Sequence, residues 1–253
     1  MSFKSSISTF SAPWSETGLY TALRPLLDRC PMRFERSEAL SFYLQCEDDA
    51  KEQTPTAPYS EILVQAHTGM ARRLGAAPSD AEAAAFASSI AHWPLVDGAV
   101  QCLQTLRAHF NGIIALADVD DATLRQTPAF SVLAPYFAEI WTWNASQEYR
   151  PYLAALEPPF SYHDSIGVPR ERRCFVSAGL HRDLEPACEC DVPAIWVRTP
   201  ESLAARLPSD EGTFVWTVCD GFDDLIDALL PGKIAGSVTI VELQTTIGKF
   251  AQM

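Results

Sequence analysis

The chain has 253 residues, 47% of them apolar and 20% charged, enough to bury roughly three-quarters of its unfolded surface in one large core or two modest ones. With 10% aromatic residues this composition excludes a disordered chain, and no apolar stretch reaches the roughly 18 uncharged residues of a membrane span. Nineteen basic against 32 acidic residues leave a formal net charge of −13, so there is no basic stripe to release counterions, and nucleic acid and anionic membrane are excluded as partners.

From the N-terminal side, the first long region reads as helices at 18–28, 37–47, 60–74 and 79–90. The last opens with Ser79-Asp80-Ala81-Glu82, an N-cap followed by early acids. Gln53-Thr54-Pro55-Thr56-Ala57-Pro58 is a loop inside this region, and His92-Trp93-Pro94 returns the chain to a second kind of pattern. There, an amphipathic helix at 99–109, with Val100, Leu103 and Leu106 at helical spacing, precedes an apolar strand at 113–117. A helix at 121–126, a strand at 138–143, a helix at 147–156, a strand at 173–177, a helix at 183–189 and a strand at 194–197 follow. Strand and helix alternate, which predicts a Rossmann-like α/β fold with a parallel sheet. The predicted organisation is a core of 1–14 and 93–253 with a helical cap at 15–92. A helical layer over the carboxyl edge of the sheet makes a lid that excludes water from a small-molecule site. Tyr20, Arg24, Phe34, Phe42 and Tyr43 fall on the early cap helices, where an aromatic lining suits an apolar substrate; most helix aromatics are simply core. The tail at 233–253, with Val238, Ile240, Val241 and Leu243, reads as an added strand or a homodimer contact.

Cys30, Cys46, Cys102, Cys174, Cys188, Cys190 and Cys219 form an odd, scattered set, and Met-Ser-Phe-Lys at the start has no apolar signal region. They read as reduced, mostly buried thiols of a cytoplasmic protein. Cys188-Glu189-Cys190 is too closely spaced for zinc ligands and has no second pair. His67, His92, His109 and His163 show no ligand spacing and read as structural or exposed.

Four segments taken together resemble the haloacid dehalogenase (HAD)-like superfamily, in its type II haloacid dehalogenase-like fungal branch. Trp93 to Leu103 looks like the re-entry from cap to core, Ile113 to Asp120 like the second motif, Glu148-Tyr149-Arg150-Pro151 like the third, and Val176 to Ala187 like the fourth. The resemblance implies a Rossmann-like core with a helical cap over the active site. It also exposes departures. The family carries its aspartate nucleophile in a phrase of the form Phe-Asp-x-x-Gly-Thr at the end of the first strand, and the matching phrase here is Phe10-Ser11-Ala12-Pro13-Trp14-Ser15. Ser11 offers a neutral hydroxyl where a carboxylate must attack. Ala117 and Asp118 stand where the second motif has a hydroxyl residue and an asparagine, and Arg150 stands for the third motif's lysine. The fourth motif keeps Asp183, but Ser177-Ala178-Gly179-Leu180 lacks the partner carboxylate of the metal-dependent phosphatases, so no metal and no other cofactor is expected.

Asp118, Asp120 and Asp121 lie within four residues at a strand's carboxyl end. Carboxylates crowded under a lid raise one another's pKa by repulsion and desolvation, which keeps one protonated as a general acid. The plainer reading is that Asp120 or Asp121 caps the next helix and Asp118 pairs with Arg150. Around this centre the resemblance places Ser11, Trp14, Tyr149, Arg150, Ser177, His181 and Asp183, with Arg24 or Arg36 as the cap arginine. Asp118, Asp120, Arg150 and Asp183 are the expected catalytic residues; Ser11, Trp14, Tyr20, Arg24, Tyr43, Tyr149, Ser177 and His181 are the expected substrate contacts. The chain is similar to enzymes of fungal quinolone alkaloid pathways that act as Brønsted acids on epoxides. This implies a non-hydrolytic isomerase or cyclase of secondary metabolism working on a small apolar substrate. A catalytically silent binding relative and a residual 2-haloacid dehalogenase or hydrolase are the alternatives.

Overall fold

Short runs of β-branched and aromatic residues become strands when both their faces are covered, since a parallel sheet buried on two sides needs continuous rather than alternating apolar sequence. The computed structural model describes residues 6–10, 16–110, 112–142, 161–169, 173–178, 193–198 and 217–230. Its strands are β1 (Ser6–Phe10), β2 (Gly112–Ala117), β3 (Glu139–Thr142), β4 (Arg173–Ser177), β5 (Ala194–Arg198) and β6 (Thr217–Asp220). They form one sheet in the order β3-β2-β1-β4-β5-β6, and every neighbouring pair is parallel. Consecutive residues are buried in the inner strands: Ile113 and Ile114 in β2, Phe175 and Val176 in β4, Ala194 to Val197 in β5. The edge strands β3 and β6 are partly exposed. Ser6 pairs with both Gly112 and Arg173, so strand order reverses at β1. In such sheets ligands bind outside the carboxyl ends of the strands at this switch point.

The predicted strands at 113–117, 138–143, 173–177 and 194–197 are all present, each within a residue of its expected bounds. β6 and the final helix α8 (Phe222–Leu229) were not anticipated. The predicted helices at 147–156 and 183–189 and the tail at 233–253 lie outside the described residues.

Between β1 and the rest of the sheet lie α1 (Glu16–Asp28), α2 (Arg36–Gln53), α3 (Tyr59–Arg73), α4 (Asp80–Ser88) and a 3-10 turn at Ser89–His92. Ser79 caps α4 by accepting from the Glu82 amide, as its sequence predicts. Arg29 then ties the end of α1 to that turn through Glu82 (Nη2 to Oε2 2.5 Å) and the Ala77 carbonyl (2.7 Å). The expectation that the second helix stops at residue 47 is corrected: α2 runs to Gln53. The charged stretch Glu47-Asp48-Asp49-Ala50-Lys51 reads as a solvated end, but Cys46, Glu47, Ala50 and Lys51 are all buried, which keeps the helical face going one and a half turns further. The chain returns over α1 at Gly18, where a Cβ would lie 2.8 Å from Pro94 Cδ and 2.9 Å from Trp93 Cβ.

After the return, Gly98 (φ 83°) opens α5 (Ala99–His109). The short helices α6 (Asp121–Leu124) and α7 (Pro128–Leu133) link β2 to β3. Cys102, Leu103 and Leu106 of α5, Leu225 of α8, Ile113, Val176, Ile195 and Val197 make one core around the sheet. A second, helical core holds Leu23, Leu26, Leu40, Tyr43, Ile62, Leu63, Met70, Phe86 and Trp93. Val119 and Leu124, just beyond β2, belong to this helical core, whereas Ile113 at the start of β2 belongs to the sheet core. The carboxyl end of β2 is therefore the place where sheet and helical layer meet.

Candidate functional site

Asp118 follows β2 directly, ahead of Val119, which is anchored in the helical core. Its carboxylate reaches across to α2, where Oδ2 accepts a hydrogen bond from Lys51 Nζ. Lys51 is 1% exposed and the Asp118 side chain 44%, so the pair leads from the protein interior to the edge of the sheet. One turn earlier on α2, Glu47 Oε1 lies 3.0 Å from the same ammonium. Glu47 Oε1 also accepts from the Tyr59 hydroxyl at 2.8 Å, and the ammonium lies 5.4 Å from the centroid of the Tyr59 ring. Tyr59 is the first residue of α3 and is buried. Burial, then the Glu47 carboxylate, then Tyr43 push the Tyr59 phenol well above its ordinary pKa, so it remains a donor. Burying an ammonium is costly unless charge and hydrogen bonds surround it, and two carboxylates with an aromatic face do so here.

Asp120 has a different task. Its Oδ1 accepts from the Thr123 amide (2.9 Å), capping α6, and its Oδ2 accepts from the Thr123 hydroxyl (2.8 Å) and from the Tyr59 amide at the start of α3 (2.8 Å). Burial pulls the Asp120 pKa upward, but these hydrogen bonds outweigh it and hold the carboxyl below its ordinary range. The expectation that crowding makes this acid a proton donor is corrected, because a carboxylate bonded at two helix N-termini is stabilised in its charged form. Asp121 forms an exposed ion pair with Arg125 (2.7 Å). Of the three clustered acids, Asp118 is the one that joins the buried network.

The remaining expected site residues are distributed as follows. Ser177 is buried at the carboxyl end of β4, the other neighbour of β1, and stands opposite Trp196 in the sheet register. Tyr43 is 1% exposed in the helical core, its ring edge-on to Phe86 at 5.4 Å. This corrects the expectation of a cap surface residue touching substrate: four residues ahead of Glu47, it is part of the packing that supports the network. Tyr20 is half-buried, with the Arg36 guanidinium 6.0 Å from its ring centroid. Arg24 faces solvent, paired with Asp28 one turn on at 3.3 Å. Ser11, Trp14, Tyr149, Arg150, His181 and Asp183 lie outside the described residues. Among the described residues no group of three His, Cys, Asp or Glu side chains is placed to hold a metal, and both oxygens of Asp120 are committed to helix caps. Cys102 and Cys219, pushed by burial up to about 12 and about 11, are core thiols rather than nucleophiles.

Lys51, Glu47 and Tyr59 were not singled out by sequence reasoning. A signal for them existed: Tyr43, Glu47 and Lys51 recur every four residues, and a Glu four positions before a Lys is the favoured helical ion pair.

The parallel sheet reversing at β1, with four helices between β1 and the return, is the fold of the haloacid dehalogenases. Three solved structures carry that likeness. The L-2-haloacid dehalogenase RSc1362 is 15% identical with a TM-score of 0.69, covering 90% of this chain and 98% of its own. The L-2-haloacid dehalogenase from Xanthobacter autotrophicus, with chloropropionic acid covalently bound, is 16% identical with a TM-score of 0.64, covering 89% and 97%. The HAD-hydrolase YfnB from Bacillus subtilis, bound to magnesium, is 13% identical with a TM-score of 0.65, covering 90% and 99%. No protein-family model matches the sequence, and no curated protein matches it. Among the described residues no helix is long and apolar enough to cross a membrane.

Proposed function

We propose that this chain is a non-hydrolytic enzyme on the HAD-like fold, in which Asp118 transfers a proton to or from a small apolar substrate, rearranging or cyclising it. The observation that carries this reading is the placement of Asp118: half-exposed just past β2, beside the strand at which sheet order reverses, with its inner oxygen tied to a buried ammonium. A carboxylate there meets a ligand at the carboxyl edge. Covalent displacement of the kind captured in the Xanthobacter autotrophicus structure needs an attacking group, and the chain leaves β1 at Phe10 into Ser11. A neutral serine hydroxyl is a weaker attacking group than a carboxylate, which favours proton transfer by Asp118 over covalent displacement. The resemblance to acid-acting enzymes of fungal alkaloid pathways adds an epoxide as the substrate class, because opening its ring by proton transfer needs no cofactor.

The test is a panel of 2-chloropropionate, p-nitrophenyl phosphate and a hydroxy-epoxide such as epoxypentanol, followed by halide release, nitrophenol release and mass spectrometry. The expected result is isomerisation of the epoxide without halide or phosphate release, reduced about 100-fold or more in Asp118→Asn, the usual contribution of a positioned acid or base. Halide release with a covalent adduct on the intact protein would overturn the proposal, as would an Asp118→Asn variant with undiminished turnover.

A further inference from the structure

Lys51 belongs to a helix of the cap region, yet its ammonium is buried against a carboxylate at the edge of the sheet. Its other partner, Glu47, is fixed by Tyr59, the first residue of the next helix. The backbone amide of Tyr59 in turn bonds Asp120, two residues beyond Asp118. The loop carrying Asp118 is thus held on one side by Lys51 and on the other by the start of α3. An ordinary surface ion pair would leave both partners solvated; here the cation is the inner member and the carboxylate the outer one. A buried ammonium at contact distance fixes the position of the carboxylate it touches through a charge-assisted hydrogen bond.

We propose that Lys51 is a positioning residue for proton transfer, contributed by the helical layer, which holds the Asp118 carboxylate in place to take the first proton from the substrate. The inference rests on the reading of Asp118 as the substrate-facing group, and the hydroxy-epoxide that tests that reading serves as its substrate. Asp118 takes the hydroxyl proton as the hydroxyl oxygen bonds to an epoxide carbon. The carbon–oxygen bond of the epoxide breaks, and the alkoxide so formed takes the proton back from Asp118. The product is a cyclic ether alcohol isomeric with the substrate, so no co-reactant is consumed. Among the described residues, the charged and titratable groups around Asp118 are Lys51 and Glu47 from α2, Tyr59 from α3 and Asp120 from its own loop. Lys51 remains an ammonium throughout, held between Glu47 and Asp118, and makes no contact with substrate.

Two measurements test this. The chain has four lysines, Lys4, Lys51, Lys233 and Lys249, so nitrogen-15 NMR of their ammonium groups resolves individual signals. A buried, ion-paired ammonium gives a slowly exchanging signal at neutral pH; it should vanish in Lys51→Met, and in Asp118→Asn it should shift and exchange several-fold faster. A wild-type protein with no protected lysine signal, or a signal unchanged by Asp118→Asn, overturns the inference without reference to turnover. In kinetics on the hydroxy-epoxide, Lys51→Met should lower kcat at least tenfold, with KM changed less than threefold, and Lys51→Arg should restore most of kcat. An inactive Asp118→Asn beside a Lys51→Met variant with wild-type kcat sinks the inference alone. An active Asp118→Asn sinks the reading of Asp118 and the inference with it.

Discussion

His163 ties the stability of this protein to pH through a residue at the opposite end of the sheet from Asp118. It is fully buried in the helical segment before β4, next to Arg173, the first residue of that strand. Arg173 is itself buried, donating to the Val168 carbonyl (3.0 Å from Nε) and pairing with Asp164. Burial first, and then the Arg173 guanidinium, lower the His163 pKa from 6.5 to about 4, against weaker upward pulls from the Gly112 backbone and Asp164. The folded protein therefore keeps this imidazole neutral, while the unfolded chain takes up a proton near pH 6.5. Stability is fully present above pH 6.5 and is lost as pH falls toward 4, because the unfolded state binds the extra proton. Taking the two pKa values in the linkage relation gives a loss of about 2.5 kcal/mol between pH 7.5 and pH 4.5. Urea unfolding of the wild type and of His163→Leu at several pH values isolates it, since other titrations cancel in the difference. The gap between the two should close, or reverse, by about that amount on acidification. Should the leucine variant not fold, His163→Asn serves the same comparison. A wild-type to variant difference that stays constant to within about 0.5 kcal/mol over this range would refute the argument that a neutral buried imidazole is being protected.

Two further predictions concern the frame of the site. Gly18→Ala places a methyl against Pro94 and Trp93 at under 3 Å and should destabilise by about 1–2 kcal/mol in urea unfolding, overpacking outweighing the gain in helix propensity. Gly69→Ala, on α3 with nothing within 4 Å of its added Cβ, is the control and should be neutral or stabilising by up to about 1 kcal/mol. Asp120→Ala removes the side-chain cap of α6 and the partner of the Tyr59 amide and should cost about 2 kcal/mol at neutral pH. Because the folded-state pKa of Asp120 is lowered, its stabilisation is present above the ordinary carboxylate range and fades as pH falls through that range. Chemical denaturation near pH 3 should find the variant and the wild type closer together than at pH 7.

The sheet was legible because its apolar runs are short, continuous and separated by helix-length segments, a pattern that parallel burial imposes directly on sequence. The same logic explains what was missed. β6 is a four-residue edge strand, Thr217-Val218-Cys219-Asp220, with its apolar residues flanked by polar ones and only Cys219 buried, so it lacks the run that identified its neighbours. The site was legible in position and only partly in composition. Asp118 was found because it follows an apolar strand, whereas Asp120, expected to be catalytic, proves to be the helix cap that was its plainer alternative. Lys51 escaped because charged residues are read as surface, and the four-residue spacing of Tyr43, Glu47 and Lys51 groups them on one face without saying that the face is buried. That choice is made by tertiary contact: the helical layer brings α2 against a carboxylate sixty-seven residues away in sequence.

This long-range contact also bears on how the sheet and the helical layer are held together. In a sheet of this kind ligands bind outside the carboxyl ends of the strands, whichever side chains stand there. Ser11 follows β1 in the sequence, and Asp118 follows β2, one strand away in the sheet. A carboxylate needs counter-charge to sit beneath a helical layer at low cost, and Lys51 supplies it from within that layer rather than from the sheet. Such an arrangement makes the chemistry depend on how the helices are seated: pulling α2 back by a few ångströms would separate the ammonium from Asp118 and leave each charge less well compensated. Glu47 and Tyr59 oppose that movement, since Tyr59 is fastened both to Glu47 through its hydroxyl and to Asp120 through its amide. The same buried network therefore holds the layers together and fixes the position of the carboxylate at their boundary.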